Sequence, residues 1–113
     1  MAKIIYNITI NIDEQVHDKW LQWVRNVHIP QVLDTGCFER SRLLRIHAFE
    51  QGGLTYAVQF EARDMESYNR FQSEFSKTID ICLDPRFSGS AQTIRTVLEV
   101  VDTHPLVSNE SLE

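Results

Sequence analysis

Residues 4–12, Ile-Ile-Tyr-Asn-Ile-Thr-Ile-Asn-Ile, alternate side chains with a period of two. This period places successive residues on opposite faces of a β-strand. We therefore predict a first strand with two distinct faces. The face directed to the core carries Ile4, Tyr6, Ile8, Ile10 and Ile12, and the opposite face carries Ile5, Asn7, Thr9 and Asn11. A similar run over residues 93–102 predicts another strand near the other end of the chain.

Two helical patterns lie between these strands. Asp13 can cap a first helix, on which five apolar residues recur at helical spacing: Val16, Trp20, Trp23, Val24 and Val27. The sequence His28-Ile29-Pro30 predicts that this helix ends near His28, because proline disfavours the α conformation in the residue before it. Asp64 is the expected cap of a second helix that ends before Asp84-Pro85. Its apolar stripe is Tyr68, Phe71, Phe75, Ile79 and Cys82.

A central hairpin joins a strand expected over residues 38–49 to a strand that begins at Leu54. Gln51-Gly52-Gly53 supplies the turn, since glycine tolerates a positive φ. On the first of these strands we assign Leu44, Ile46 and Ala48 to one face and Leu43, Arg45, His47 and Phe49 to the other. On the next strand we assign Leu54, Tyr56, Val58 and Phe60 to the core and Thr55, Ala57, Gln59 and Glu61 to the opposite face.

The order strand, helix, strand, strand, helix, strand predicts an α+β protein with a ferredoxin-like βαββαβ fold. Such a fold has a four-stranded antiparallel sheet with two helices on one face. We expect this domain to span residues 1–102. Residues 103–113 offer few apolar side chains and are expected to form a flexible C-terminal tail.

Composition narrows the classes of function. The chain has 113 residues, of which 42% are hydrophobic and 24% charged, and a net charge of −5. Nucleic acids and anionic membranes need clustered positive charge, so neither is an expected partner. RNA-binding sheets also display aromatic residues on the open face, whereas Tyr56 and Phe60 are expected to face the helices. The N-terminal sequence lacks a signal-peptide pattern, which favours the cytoplasm.

Motifs for metal or cofactor chemistry are lacking in the sequence. Cys37 and Cys82 lie far apart, and the four histidines, His17, His28, His47 and His104, do not have the spacing of metal ligands. The sequence also has no GxSxG, P-loop or GxGxxG motif. We therefore expect no metal and no cofactor.

The sheet face that the helices leave open predicts a homodimer. It combines apolar and polar side chains, and two such faces packed against each other would remove a large apolar patch from water. The alternative is a solvated sheet face. The residues assigned to this face are Ile5, Asn7, Thr9, Asn11, Leu43, Arg45, His47, Phe49, Gln59, Arg95, Val97, Glu99 and Val101.

Several short motifs resemble a family of small proteins known as domain of unknown function 4286. They are Tyr6-Asn7-Ile8-Thr9, Trp20, Trp23, His28-Ile29-Pro30, Val32-Leu33, Thr35-Gly36, Phe38, residues 53–60, Arg86-Phe87 and residues 96–100. The resemblance covers almost the whole predicted domain. It implies a ferredoxin-like fold of the dimeric α/β-barrel kind, with no assigned activity.

Trp23, His28 and Pro30 also resemble a stretch of the EthD-like members of the dimeric α/β-barrel superfamily. Cofactor-independent monooxygenases, polyketide cyclases and haem-handling enzymes belong to the same superfamily. The tryptophan-to-histidine spacing is longer here than in the EthD-like group. This resemblance implies that His28 is a candidate for a catalytic role.

His28 is the candidate catalytic residue on chemical grounds as well. An imidazole titrates near neutral pH, which suits general acid–base catalysis, and its position at a helix end gives it access to a cleft between helix and sheet. The alternative is that His28 caps the helix, where a cation complements the helix dipole.

The candidate ligand-binding residues are Trp20, Trp23, Asn7, Arg45 and Arg95. The two tryptophans are three residues apart and could form the wall of an apolar pocket, or they could simply fill the core. The two arginines, on the open face, could hold a carboxylate or phosphate. Alternatively, they could pair with Glu61 and Glu99.

Three functions stay open at this point. The first is a dimer that binds a small apolar or aromatic molecule between sheet and helices. The second is a cofactor-independent enzyme of monooxygenase or cyclase type that uses His28. The third is an interaction or regulatory module without a ligand. A polar group inside a pocket would favour the enzyme, and a filled core would favour the module, since the fold alone does not decide.

Overall fold

A computed structural model describes residues 2–47 and 52–106. Four antiparallel strands form one sheet: β1 (Ile4–Ile12), β2 (Arg40–Ile46), β3 (Leu54–Ala62) and β4 (Ala91–Glu99). Their spatial order is β2-β3-β1-β4. Helices follow β1 and β3, so the predicted ferredoxin-like βαββαβ fold is confirmed.

The central strand β1 has the predicted faces. All five residues assigned to the core, Ile4, Tyr6, Ile8, Ile10 and Ile12, are at most 5% exposed. On the neighbouring strand β3, Tyr56, Val58 and Phe60 are likewise buried. The helices pack on this apolar layer.

The faces predicted for the outer strands β2 and β4 are wrong. Leu43 and Arg45 pair with the core residues Val58 and Tyr56, and Arg95 and Val97 pair with Ile8 and Tyr6. Directly paired residues of an antiparallel sheet lie on the same face, so these side chains lie on the helix side.

The open sheet face therefore has different apolar members from those predicted. Leu44 and Ile46 of β2 pair with Ala57 and Thr55, and Ile94 and Leu98 of β4 pair with Thr9 and Ile5. Glu99 pairs with the core residue Ile4 and also lies on the helix side, whereas His47 and Val101 lie beyond the ends of β2 and β4. Phe49 lies outside the described residues.

The first helical segment continues past the predicted end at His28. Helix α1 (His17–Trp23) runs into a wide π-helical turn (Val24–His28) and then into α2 (Ile29–Leu33). The Ile29 N–H donates to the Val24 carbonyl five residues earlier. This wide turn directly precedes Pro30, whose ring would crowd an ordinary α-helical turn.

The wide turn also decides which residues point inward. Trp20, Val24, His28 and Val32 recur every four residues and are all at most 2% exposed. In a regular α-helix such a row drifts by about 40° at each step, and a turn closed over five residues offsets part of this drift. Val27, predicted to face the core, is instead 48% exposed.

The second helix, α3 (Met65–Glu74), begins as predicted and ends earlier. Asp64 caps it by accepting a hydrogen bond from the Ser67 N–H at 2.8 Å. After Glu74 the chain forms turns, and Ile79 and Cys82 belong to this connection rather than to the helix.

Asp13 does not cap the first helix as predicted. Its carboxylate accepts a hydrogen bond from the Gln15 N–H at 2.9 Å, in a turn that precedes α1. None of the helices in the described ranges is long and apolar enough to cross a membrane.

The hairpin between β2 and β3 turns through Gly52 and Gly53, which have φ values of 101° and 74°. These left-handed conformations favour glycine, as the sequence indicated. Ala48, Phe49 and Gln51 lie outside the described residues. Of the predicted tail, residues 103–106 have neither helix nor strand and are exposed, and residues 107–113 also lie outside.

His17 connects the first helix to the sheet. Its Nε2 lies 2.6 Å from the Tyr56 hydroxyl, and its Nδ1 lies 3.0 Å from Asp18 Oδ1. A carboxylate only accepts hydrogen bonds. The Nδ1 therefore donates to Asp18, and, with one proton on the ring, Nε2 accepts from the Tyr56 hydroxyl.

The substitution Tyr56→Phe is expected to lower the free energy of unfolding by about 1 kcal/mol, because it removes this hydrogen bond. Urea unfolding of Tyr56→Phe, His17→Gln and the double variant checks the origin of the loss. The two effects should be less than additive, since both variants remove the same contact. Strictly additive losses would contradict a hydrogen bond between these two residues.

Candidate functional site

The candidate site is centred on His28, which the wide helical turn directs into the core. The residue is 2% exposed, and its ring stacks on Trp23 at a centroid distance of 5.2 Å. The imidazole and the ring of Phe60 are nearly perpendicular, in a T-shaped contact. Its Nε2 is buried and has no hydrogen-bond partner within the described part of the chain. Buried polar atoms are nearly always paired, so an unpaired one beside a cavity is a candidate contact for another group.

A small cavity of about 10 Å³ lies beside His28, between the helices and the sheet. This is roughly the size of one water molecule. Three of its lining residues are polar, namely Tyr6, His28 and Asp80. The remainder are apolar: Ile8, Val32, Phe60, Phe71, Ile79 and Ile81.

Asp80 is fixed by Arg95 of β4. The Arg95 Nη2 donates to both carboxylate oxygens of Asp80, at 2.6 and 2.8 Å. The Cys82 sulfur lies 3.7 Å from the same nitrogen. Both side chains are partly exposed, so the ion pair lies near the surface, at the side of the cavity that Asp80 lines.

Burial decides the charge of His28. It lowers the pKa of the imidazole to about 4, although the negative charge of Asp80 opposes this shift. Burial also raises the pKa of the Tyr6 hydroxyl, which Arg95 partly offsets. At neutral pH the cavity therefore meets a neutral imidazole, a neutral phenol and an ion pair. A neutral imidazole can donate one hydrogen bond and accept another.

Two further predicted site residues lie on the same helical segment. Trp23 joins the site, because its ring contacts His28 and Phe87. Trp20 is completely buried two turns earlier, against Tyr56, and its Nε1 lacks a hydrogen-bond partner in the described structure. Trp20 therefore fills the core away from the cavity.

Asn7 and Arg45 do not join the site. Asn7 lies on the open sheet face, where its Oδ1 accepts from Gln59 Nε2 at 3.2 Å. Arg45 lies on the helix side of β2, at the opposite edge of the sheet from β4, with its guanidinium 5.5 Å from the centre of the Tyr56 ring. The expected clamp of two arginines on the open face is therefore wrong. Arg95 pairs with Asp80 rather than with the expected Glu99.

Sequence reasoning missed Asp80 and the cavity-lining isoleucines around it. The signal was a single carboxylate between two isoleucines, Ile79-Asp80-Ile81, in the connection that follows α3. Such a carboxylate needs a cationic or hydrogen-bonding partner if its neighbours are buried. Arg95, which holds Asp80, is among the predicted ligand-binding residues, but the prediction places it on the opposite face of the sheet.

Other concave surfaces lie away from His28. Depressions of about 590 and 510 Å³ are open and polar, one along α3 and one near the hairpin turn. A third depression, of about 270 Å³, is lined by Trp23, Val27 and Arg86 and lies on the outer side of the helix. Among the residues described, no three histidines, cysteines or carboxylates come together as metal ligands.

Sheet order, helix placement and the buried polar site define a ferredoxin-like α+β domain. Within this class, the chain belongs to the family described as domain of unknown function (DUF4286), which it matches over residues 3–101. None of the curated proteins compared with the sequence matches it.

Solved structures show the same fold. A dimeric ferredoxin-like protein from an uncultured marine organism is 13% identical, with a TM-score of 0.70 over 92% of this chain and 100% of that chain. A Bacillus cereus protein whose name assigns it to the antibiotic biosynthesis monooxygenases is 11% identical, with a TM-score of 0.66 over 94% and 100%. An EthD family protein from Bacillus halodurans is 11% identical, with a TM-score of 0.59 over 82% and 96%.

Proposed function

We propose that this protein is a homodimer that binds a small apolar or aromatic molecule between the sheet and the helices, beside His28. The observation that carries the proposal is the buried, unpartnered Nε2 of His28 at a cavity with otherwise mostly apolar walls. Ligand sites commonly combine apolar walls with a few polar groups that orient the ligand. His28 and Asp80 are such groups.

The cavity must widen to admit a molecule larger than water, and one of its walls is suited to this. Ile79 and Ile81 come from the connection between α3 and β4, whose residues 75–87 form turns without helix or strand. Segments without regular hydrogen-bonded structure open at a lower free-energy cost than helices or strands. We infer that a ligand is admitted by displacement of this connection.

The open sheet face supports the dimer. Three of its apolar residues are well exposed: Leu44 at 37%, Ile94 at 69% and Leu98 at 41%. A polar row runs between them, in which Arg42 donates to Gln59, Gln59 to Asn7, and Asn7 to Thr9. A second copy of this face offers the same apolar edges and polar centre, which suits a closed two-fold contact. Two solved proteins of similar fold are dimeric ferredoxin-like proteins, which supports a dimer here.

A thermal-shift screen of the purified protein against small aromatic and apolar compounds tests ligand binding. A compound at about 100 times its Kd should stabilise the native state by about 2.7 kcal/mol, because it binds the folded protein and not the unfolded chain. We expect His28→Gln to weaken the shift. His47→Gln is the matched control, since His47 is exposed on β2's side of the molecule.

Two results would contradict the proposal. One is the absence of any stabilising compound, and the other is a shift that is equally large in His28→Gln. The first of these would favour the interaction module, for which the small size of the cavity is the supporting observation. The binding partner would then have to contact the outer surface.

A cofactor-independent enzyme is the second candidate, favoured by the closeness of Asp80 to His28. A nearby carboxylate stabilises an imidazolium, so it would help His28 to take a proton from a bound substrate. In that case His28→Gln should abolish turnover, and Asp80→Asn should slow it. Activity that persists in His28→Gln would exclude this role.

A further inference from the structure

The chemistry around the cavity restricts the polar group of the ligand. This inference rests on the proposed binding site and concerns the class of molecule that fits it. Among the fully buried polar side-chain atoms of the described residues that line this cavity, the Nε2 of His28 is the one without a hydrogen-bond partner. A ligand that supplies a partner to this atom removes the cost of leaving it unpaired.

We propose that the ligand is an aromatic or apolar molecule with a neutral hydroxyl group, such as a phenol or an alcohol, and that this hydroxyl binds His28 Nε2. A hydroxyl both donates and accepts. It can therefore pair with Nε2 whether or not that nitrogen carries the proton of the neutral imidazole. A methyl group offers no partner at all.

A carboxylate or phosphate is disfavoured by the charges at the cavity. Among the described residues that line the cavity, Asp80 is the one that carries a charge at pH 7, and this charge is negative. The nearby cation, Arg95, already holds both oxygens of Asp80 at 2.6 and 2.8 Å. His28 is neutral at pH 7. An anion would lose its hydration beside a carboxylate and gain no unpaired cation.

Phenol, toluene and benzoate provide a matched series, because each is a benzene ring with one substituent. Their Kd values can be measured by NMR titration of the wild-type protein at pH 7. We expect phenol to bind about five-fold more tightly than toluene, the factor that one net hydrogen bond gives. Benzoate should bind more weakly than both.

The variant His28→Phe locates the effect, since it keeps an aromatic ring and removes the nitrogen. Phenol and toluene should then bind equally well. Ring ¹⁵N shifts of His28 in the wild type give a second measurement that does not depend on the variant. Phenol should move the Nε2 resonance, and toluene should leave it in place.

The outcomes separate this inference from the proposed function. If all three compounds fail to bind, this inference is overturned, and the proposed function falls with it only if the wider screen also gives no stabilising compound. If toluene binds as tightly as phenol, or if benzoate binds most tightly with a change at His28 Nε2, the site stands and the hydroxyl preference is wrong. A phenol preference that survives in His28→Phe also overturns the inference, because the hydroxyl must then bind elsewhere.

Discussion

The substitution Leu98→Lys is expected to convert the protein from a dimer to a monomer at micromolar concentration. Leu98 is 41% exposed on the open sheet face, paired with Ile5 of β1. In the proposed dimer a lysine here would bury its ammonium group against the apolar residues of a second copy. The cost of several kcal/mol should raise the dimer Kd by roughly 1,000-fold. Sedimentation equilibrium or light scattering measures the change directly.

Val97→Lys is a matched control for this experiment. Val97 is the adjacent residue on the same strand and is almost equally exposed, at 43%, but it pairs with Tyr6 and lies on the helix side. We expect Val97→Lys to remain dimeric. A monomeric wild type would disprove the dimer, and dissociation of Val97→Lys while Leu98→Lys stays dimeric would show that the helix side of β4 makes the contact.

A loss of stability on acidification is the second large effect that we expect. The pKa of His28 is about 4 in the folded protein, against about 6.5 in the unfolded chain. Between these two values the unfolded state binds more protons, so stability falls as the pH is lowered from 6.5 to 4. The difference of about 2.5 pH units corresponds to about 3 kcal/mol, fully lost only near and below pH 4.

His28→Gln isolates this contribution, because glutamine does not titrate. Protonation of carboxylates also destabilises the folded protein in acid. Examples are Asp64 and Asp84, whose pKa values are lowered by hydrogen bonds from Ser67 and Arg86. They are shared by both proteins and cancel in the comparison. Urea unfolding at pH 7, 6, 5 and 4, at one protein concentration, gives the free energy of unfolding of both proteins. We expect this free energy to fall by about 3 kcal/mol less in the variant than in the wild type. Parallel pH profiles would mean that His28 is accessible to protons in the native state.

The central part of the fold was predictable because its hydrophobic pattern has one solution. In β1 the large apolar residues Tyr6, Ile8 and Ile10 fall on one face, and only Ile5 interrupts the polar face. A shift of one residue would move the whole apolar set to the other side of the sheet, so the pattern determines the orientation of this strand.

The outer strands were not predictable in this way, since both carry large apolar residues at adjacent positions. Leu43 and Leu44 in β2, and Val97 and Leu98 in β4, satisfy either assignment of faces equally well. Pairing with β3 and β1 decides between them, and pairing is a long-range property. The error moved Arg45 and Arg95 to the wrong side of the sheet.

The candidate site was only partly predictable for the same reason. The position of His28 near an expected helix end left open either a cap of that end or a place in a cleft between helix and sheet, and the structure buries it beside the cavity. Asp80 is 52 residues away in the sequence and reaches the site only because β4 brings Arg95 beneath it. Local sequence patterns indicate where a helix or strand forms, and they do not predict such a long-range contact.

A π-helical turn holds one residue more than an α-helical turn, so the turn at Val24–His28 is equivalent to an inserted residue. An insertion in a regular helix would rotate every later residue by about 100°. Here Val32 in α2 still packs in the core, so the extra residue is accommodated within the turn itself. One wide turn can therefore hold an additional residue while the imidazole of His28 and the later core residue Val32 both stay buried.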